Sequence, residues 1–278
     1  GKHFFSKKDR RPLVMGILNL TPDSFYDGGS HNNIKDILTH CEKMLTDGAD
    51  IIDIGAFSSR PGMEIINTEE EKSRLLPTLI EIRRQFPSAI ISIDTFRKDV
   101  AHNAIDNGAN IINDISGGIF DKEMLPYIGK NHIPYILMHS GNNIDNLHHE
   151  IIGNDICNKV RHFFKDQVVE LNKYGEQNII LDPGIGFNKS MEANFDLLKN
   201  INDYRVDNIP VLIGISRKSI IYKTLKITAQ EALNGTTVLN TIALLNGANI
   251  LRVHDVKEAV ETVKLVGTML NVQLRMED

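Results

Sequence analysis

The sequence predicts an α/β chain closed into a single (β/α)8 barrel. Three observations predict it. One phrase occurs three times, as Asp47-Gly-Ala-Asp-Ile-Ile-Asp, Asn107-Gly-Ala-Asn-Ile-Ile-Asn and Asn246-Gly-Ala-Asn-Ile-Leu-Arg. Eight short runs rich in β-branched residues are separated by helical patterns. The spacing averages roughly 35 residues, that of one strand-helix unit in an eight-fold barrel of about 250 residues.

The elements follow in order. The first strand starts near Leu13 and leads to Asn19. Ile34, Ile37, Leu38, Cys41, Met44 and Leu45 then make a one-sided helical stripe. Further strands start near Asp50, Ala89, Asn110, Pro134, Asn178, Pro210 and Asn249. The Gly of each repeated phrase suits a helix end in the left-handed region. The Ile-rich run after it suits a strand buried on both faces. Pro134 and Pro210 sit at strand starts, where a missing N–H is tolerated. Ile156, Val160, Phe163, Phe164 and Leu171 make a second stripe, and Val256, Ala259, Val260, Val263 and Leu270 the last. An open doubly wound sheet would carry G-x-G-x-x-G directly after a strand, and none is present. The polar stretch 140–155 reads as a loop rather than a boundary. One domain over 1–278, with its core at about 13–274, is therefore expected.

Composition narrows the function. The 278 residues are 41% hydrophobic and 24% charged, which is ordinary for a globular chain and excludes a disordered or collagenous one. Lys and Arg number 31 against 36 Asp and Glu, a net charge of -5 that disfavours a general nucleic-acid binder. No apolar run reaches the roughly 20 residues needed to span a bilayer. Cys41 and Cys157 cannot build a disulfide framework and read as buried thiols of a reducing, cytoplasmic compartment.

Such barrels place their sites at the C-terminal strand ends. Those ends carry Asn19, Asp53, Asp94, Asn113, His139, Asp182, Ser216, Arg252 and His254. Barrel stability needs none of them. Three loops stand out. The loop after Asn19 is rich in turn formers and bears Phe25 and Tyr26, as a lid or as an ordinary turn with incidental aromatics. The loop from Ala56 offers Ser59 and Arg60 to an anion and Phe57 and Pro61 as walls. The loop from Asp182 sets a carboxylate beside a Gly-rich turn, fit for close approach of a ligand. Ser216-Arg-Lys-Ser opens a helix, so Lys218 and free N–H groups could take an anion; ordinary caps and a solvated Lys218 are the alternative. Arg252, inside a barrel, needs an anionic partner, either a ligand or a structural ion pair. His139, His148 and His149 lack zinc spacing, whereas a hard cation held by one Asn oxygen and a substrate phosphate fits.

The motifs resemble those of one family. Met15-Gly-Ile-Leu-Asn-Leu-Thr-Pro-Asp-Ser-Phe, Asp53-Ile-Gly with Ser58-Ser-Arg-Pro-Gly, Ser92-Ile-Asp-Thr, Ile112-Asn-Asp-Ile, Leu181-Asp-Pro-Gly-Ile-Gly-Phe, Gly214-Ile-Ser-Arg-Lys-Ser and Arg252-Val-His-Asp resemble, in order, the signatures of the dihydropteroate synthase family. The resemblance implies a TIM-barrel transferase of folate synthesis. It would join 6-hydroxymethyl-7,8-dihydropterin diphosphate to para-aminobenzoate with Mg2+ and release diphosphate. Sulfonamides would compete for the aminobenzoate pocket, and the chain would form a homodimer through its last helices.

By resemblance, Asp94, Lys218, Asn19 and Arg252 are the catalytic positions. Asp94, Asn113, Asp182, Lys218, Met138 and Gly214 are expected around the pterin. Asn19, Ser59, Arg60, Arg252 and His254 are expected around the diphosphate, with Asn19 on the metal. Phe25, Pro61, Phe187, Lys218 and Ser219 are expected around para-aminobenzoate. The chain departs from the common pattern at Ala56-Phe57, where many members have Gly-Glu, and at His139-Ser-Gly, where Met-Gln-Gly is frequent. The alternative is a pterin-binding barrel of the methyltetrahydrofolate:corrinoid methyltransferase type. It has no diphosphate to eject and no use for the paired first and second loops.

Overall fold

The structure is a computed structural model that describes residues 11–20, 31–56, 66–141, 153–175 and 177–270. Strands and helices alternate: β1 (Leu13–Asn19), α1 (His31–Thr46), β2 (Ile51–Gly55), α2 (Thr68–Gln85), β3 (Ile91–Asp94), α3 (Lys98–Asp106), β4 (Ile111–Asp114), α4 (Met124–Asn131) and β5 (Tyr135–Met138). There follow α5 (Ile156–Asn172), β6 (Ile179–Asp182), α6 (Met191–Lys199), α7 (Ile201–Tyr204), β7 (Leu212–Ile213), α8 (Ser219–Leu225), α9 (Leu233–Leu245), β8 (Ile250–Val253) and α10 (Val256–Met269). The eight strands are parallel, in the order β6-β5-β4-β3-β2-β1-β8-β7. A bridge between Leu181 and Val211 joins β6 to β7 and closes the barrel.

The register shows the stagger that closure demands. Asn19 pairs with Gly55, Gly55 with Asp94, Asp94 with Asn113, Asn113 with Ile136 and Ile136 with Ile180. Leu181 then pairs with Val211, Leu212 with Ile250 and Ile250 with Leu13. One circuit from Asn19 thus returns to β1 at Arg11, about eight residues lower, the shear of this fold.

Alternation along each strand builds two apolar layers. Met15, Ile51, Ile111, Ile136, Ile180, Leu212 and Ile250 fill the barrel interior. Their neighbours Val14, Ile52, Ile112, Leu137, Leu181, Ile213 and Leu251 face the helices in the larger outer core. Two residues further up, the inward positions of five strands are polar, Asp53, Ser92, Asn113, Asp182 and Arg252, whereas those at β1, β5 and β7 are Ile17, Met138 and Gly214. The apolar plug below makes these polar groups the floor of a cup rather than the lining of a channel.

The repeated phrase proves to be a clamp at the opposite face. Its Gly residues, Gly48, Gly108 and Gly247, have φ of 100°, 96° and 102°, the left-handed helix stop expected of them. The Asx two residues later stands just before its strand. Asp50 accepts the N–H of Val14, Asn110 that of Ile91 and Asn249 that of Val211. Each also accepts an arginine: Arg11, Arg83 and Arg205 respectively. The strands begin one residue later than expected at these three sites, and the Asx just before each ties two strand starts together through its side chain and its own N–H, which donates to the carbonyls of Val14, Ile91 and Val211 respectively.

Most stripe residues are buried as expected, but Leu270, the last of the third stripe, is 51% exposed just past the end of α10. Cys41 is buried, whereas Cys157 is only part-buried, which corrects the expectation for that thiol. Burial is the main reason that both thiols are pushed up to about 11. Among the described residues, no helix is long and apolar enough to cross a membrane.

Candidate active site

The cup is organised around Arg252 on β8. Its Nε donates to Asp53 Oδ2 at 2.7 Å, and its Nη2 donates to Asp94 Oδ2 at 3.0 Å. Asn113 Nδ2 donates to the same Asp53 oxygen at 3.0 Å. Asp53 Oδ1 and Ser92 Oγ are buried and, among the described residues, have no hydrogen-bond partner, so the floor carries two unsatisfied polar atoms. The sequence marks Asp53 as a strand-end residue and gives it no role. The structure makes it the hub of this network. Arg252 does have the internal anionic partners that were one of the two readings for it.

Asp182, on β6, accepts the N–H of Gly184 at 2.8 Å through Oδ1. Gly184 has φ of 66°, and a Cβ there would stand 2.0 Å from the carbonyl oxygen of His139. Only glycine lets the Asp182 loop lie this close to the end of β5. Lys218, between β7 and α8, is half-buried rather than free in solvent. Its Nζ donates to Ile185 O at 2.6 Å and lies 4.6 Å from the centroid of the Phe187 ring. Gly214 keeps the space beside it open. A Cβ there would come within 3.8 Å of Arg252 Cβ and 3.9 Å of Lys218 Nζ. Ser216 does not cap a helix. Its Oγ lies 3.1 Å from His254 Nδ1 and accepts the His254 N–H, tying the ends of β7 and β8.

Asp94, Asn113, Met138, Asp182, Gly214, Lys218 and Arg252 thus share one end of the barrel. Asn19 stands exposed at the rim of that end, and Ser219 opens α8 beside it. Phe25, Ser59, Arg60 and Pro61 lie outside the described residues. An apolar wall extends beyond the expected Met138 and Phe187: Phe96, Ile115 and Met138 are buried together, with Phe120 and Phe187 packed against them. Phe96 and Phe120 meet edge-on with centroids 5.6 Å apart. Phe96 lies two residues beyond Asp94, the signal that could have marked it.

Burial governs the charges. It pushes Asp94 up to about 7, with Arg252 pulling it down and Asp53 pushing it further up. Burial likewise raises Asp182, against the pull of Lys218. It pushes Lys218 down to about 8, with Asp182 acting in the opposite direction. The cup therefore carries groups poised near neutrality, a pattern that marks functional clefts.

Asp94 yields a prediction. The folded chain keeps this proton up to about pH 7, whereas an unfolded Asp releases it near ~3.9. The group's contribution to stability is therefore full below the unfolded value and lost as pH rises through the folded one. Urea unfolding of wild type and Asp94→Asn from pH 4.5 to 7.5 measures it. The advantage of wild type over the variant should shrink with rising pH and level off above 7; a constant difference contradicts the raised carboxyl.

A family model described as pterin binding enzyme matches residues 15–254. The dihydropteroate synthase of Clostridium beijerinckii is 41% identical over 259 residues, covering 92% of this chain and 93% of the relative. The chain belongs to the dihydropteroate synthase family. Solved members of the family share the fold. That of Clostridium difficile, determined in the presence of pteroic acid, superposes with a TM-score of 0.87 at 35% identity, covering 95% of this chain and 99% of that one. The Yersinia pestis enzyme, solved with a sulfonamide, gives 0.84 at 36% identity, covering 95% of both chains. The barrel, expected from the repeats alone, is thus the family's fold.

Proposed function

We propose that the chain condenses 6-hydroxymethyl-7,8-dihydropterin diphosphate with para-aminobenzoate, giving 7,8-dihydropteroate and diphosphate. One observation carries this reading: Asp182, Lys218 and Arg252 open onto one mouth of one barrel. A pterin presents a ring N–H beside an exocyclic amine, two parallel donors. A carboxylate such as Asp182 matches them in a bidentate pair. The Lys218 ammonium offers a donor to the pterin oxygen, and Asn113 and Met138 bound the ring. Gly214 leaves room for it.

The C–O bond to diphosphate breaks first, leaving a cationic methylene-pterin. Ionised Asp94 stabilises that cation electrostatically. The arylamine nitrogen then attacks the methylene carbon and loses a proton. Arg252, His254, Ser59 and Arg60 spread the charge of the departing diphosphate. Arg252 can turn toward it because a guanidinium has donors beyond those used on Asp53 and Asp94. Phe187, Pro61, Phe25 and Ser219 wall the aminobenzoate, and sulfonamides compete there. No protein nucleophile is needed.

The exposed amide of Asn19 suits magnesium, which commonly takes one or two protein oxygens and fills its shell with water and substrate phosphate. The described residues hold no group of three or more His, Cys, Asp or Glu that could form an all-protein cage. When bound, the ion would supply charge neutralisation on the diphosphate. A reducing cytoplasmic setting fits two free thiols.

The chain acts as a homodimer. Val238, Ile242 and Leu245 on α9, and Leu265 and Met269 on the neighbouring α10, are exposed apolar side chains that a second copy would cover. Wild type should sediment at twice the chain mass and Leu265→Glu at the chain mass. Identical sedimentation of the two would exclude these helices from the interface.

The decisive assay is diphosphate release from the pterin diphosphate. It should require both para-aminobenzoate and magnesium. No release by folded protein at saturating substrates removes this function.

A further inference from the structure

Lys189 is a buried ammonium that the reaction above leaves unused; the residue is 9% exposed. Its Nζ donates to the carbonyls of His139 at 3.1 Å, Gly184 at 3.0 Å and Phe187 at 3.0 Å. An ammonium has three donors, so backbone oxygens saturate it and no carboxylate is used. Burying such a charge is costly. Burial brings it down to about 7, with Asp182 pulling it back up and Lys218 pushing it lower. A lysine that merely held a surface turn would keep its head in water.

The three carbonyls belong to three parts of the cup. His139 follows Met138 at the end of β5. Gly184 gives its N–H to Asp182. Phe187 carries the ring beneath Lys218. Asn194, buried on α6, closes the frame: its Oδ1 accepts the Gly186 N–H at 2.7 Å, and its Nδ2 donates to Lys189 O at 3.3 Å. There is no slack at this point, since the backbones of Gly184 and His139 are in direct contact and Lys189 Nζ lies 3.3 Å from where a Gly184 Cβ would be.

We infer that Lys189 is a positioning residue of the condensation. By binding these carbonyls from behind the cup, it sets the distance between the Asp182 carboxylate and the Phe187 ring, and so the spacing between the pterin and the aminobenzoate. This rests on the reaction proposed above. Lys189 acts through backbone it holds and touches no substrate.

The test compares Lys189→Met, which keeps the stem and loses the donors, with Lys189→Arg, which keeps charge and donors on a longer head. Steady-state kinetics and calorimetry with 6-hydroxymethylpterin are run well below each melting temperature, with wild type alongside. Lys189→Met should raise the KM of para-aminobenzoate and the pterin Kd at least tenfold while kcat falls less than threefold, and Lys189→Arg should lie between it and wild type. A lower melting temperature with both affinities unchanged overturns the inference, because Lys189 is then structural only. If Lys189→Met does not fold, Lys189→Arg decides alone. A rise of threefold or more in the aminobenzoate KM supports positioning, and an unchanged KM overturns it. If wild type releases no diphosphate, the reaction itself is wrong and the inference falls with it. An active wild type confines any failure to Lys189.

Discussion

Arg252→Met lowers kcat/KM by roughly a hundred- to a thousandfold, the range seen when one preorganised electrostatic contact is removed. It also costs about 3–5 kcal/mol of stability, as expected when a buried charge loses its partner. The structure gives both effects one origin. Arg252 holds Asp53 and Asp94 together at the floor, and Asp53 has no exposure at all. Methionine fills the same shaft but leaves two carboxyls facing each other. Part of the cost is relieved because Asp94, already pushed up to about 7, takes up a proton. That relief harms the reaction, since a neutral Asp94 no longer stabilises a cationic pterin. Kinetics with the diphosphate substrate should therefore suffer far more than calorimetric binding of the pterin without its diphosphate. Equal losses in the two measurements would mean that Arg252 serves only to hold the floor together.

Asp182→Ala has the second large effect, weakening pterin binding by about 2–5 kcal/mol. The carboxylate acts electrostatically on both Lys218 and Lys189, and its removal takes from each ammonium the anion that most favours its charge. It also strips the Gly184 N–H of its acceptor. Asp182→Asn separates the two contributions. The amide oxygen can still accept from Gly184, while the amide nitrogen meets the pterin donors with another donor. Asn should thus fold like wild type and bind pterin nearly as badly as Ala. Calorimetry with 6-hydroxymethylpterin decides it, and wild-type affinity in Asp182→Asn would place the pterin elsewhere in the cup.

Much of the cup was legible because strand ends are local events. Asn113, Asp182 and Arg252 each follow an Ile- or Leu-rich run by one residue, so period-two alternation alone aims them inward. Asp53 was visible in the same way but received no role, since nothing local says that Arg252, 199 residues away, will bond to it. In sequence, Lys218 is equally compatible with solvent and with a ligand for the same reason. Its true partners, Ile185 and Phe187, come from a different strand-helix loop. The aromatic wall of Phe96, Phe120 and Phe187 is drawn from three separate loops, so no one loop shows that the three rings meet.

The repeated phrase shows where the division falls. Sequence by itself determined the helix stop, the strand and their eightfold recurrence, because glycine's left-handed freedom and the period of β-branched residues act within a few neighbours. Only the tertiary structure decided what the Asx of that phrase does, which is to grip the start of an adjacent strand together with an arginine. It likewise decided which charges at the other face meet. Hydrogen bonds and ion pairs act over a few ångströms of space, and the stagger of a closed barrel, not separation along the chain, chooses the groups that come so near.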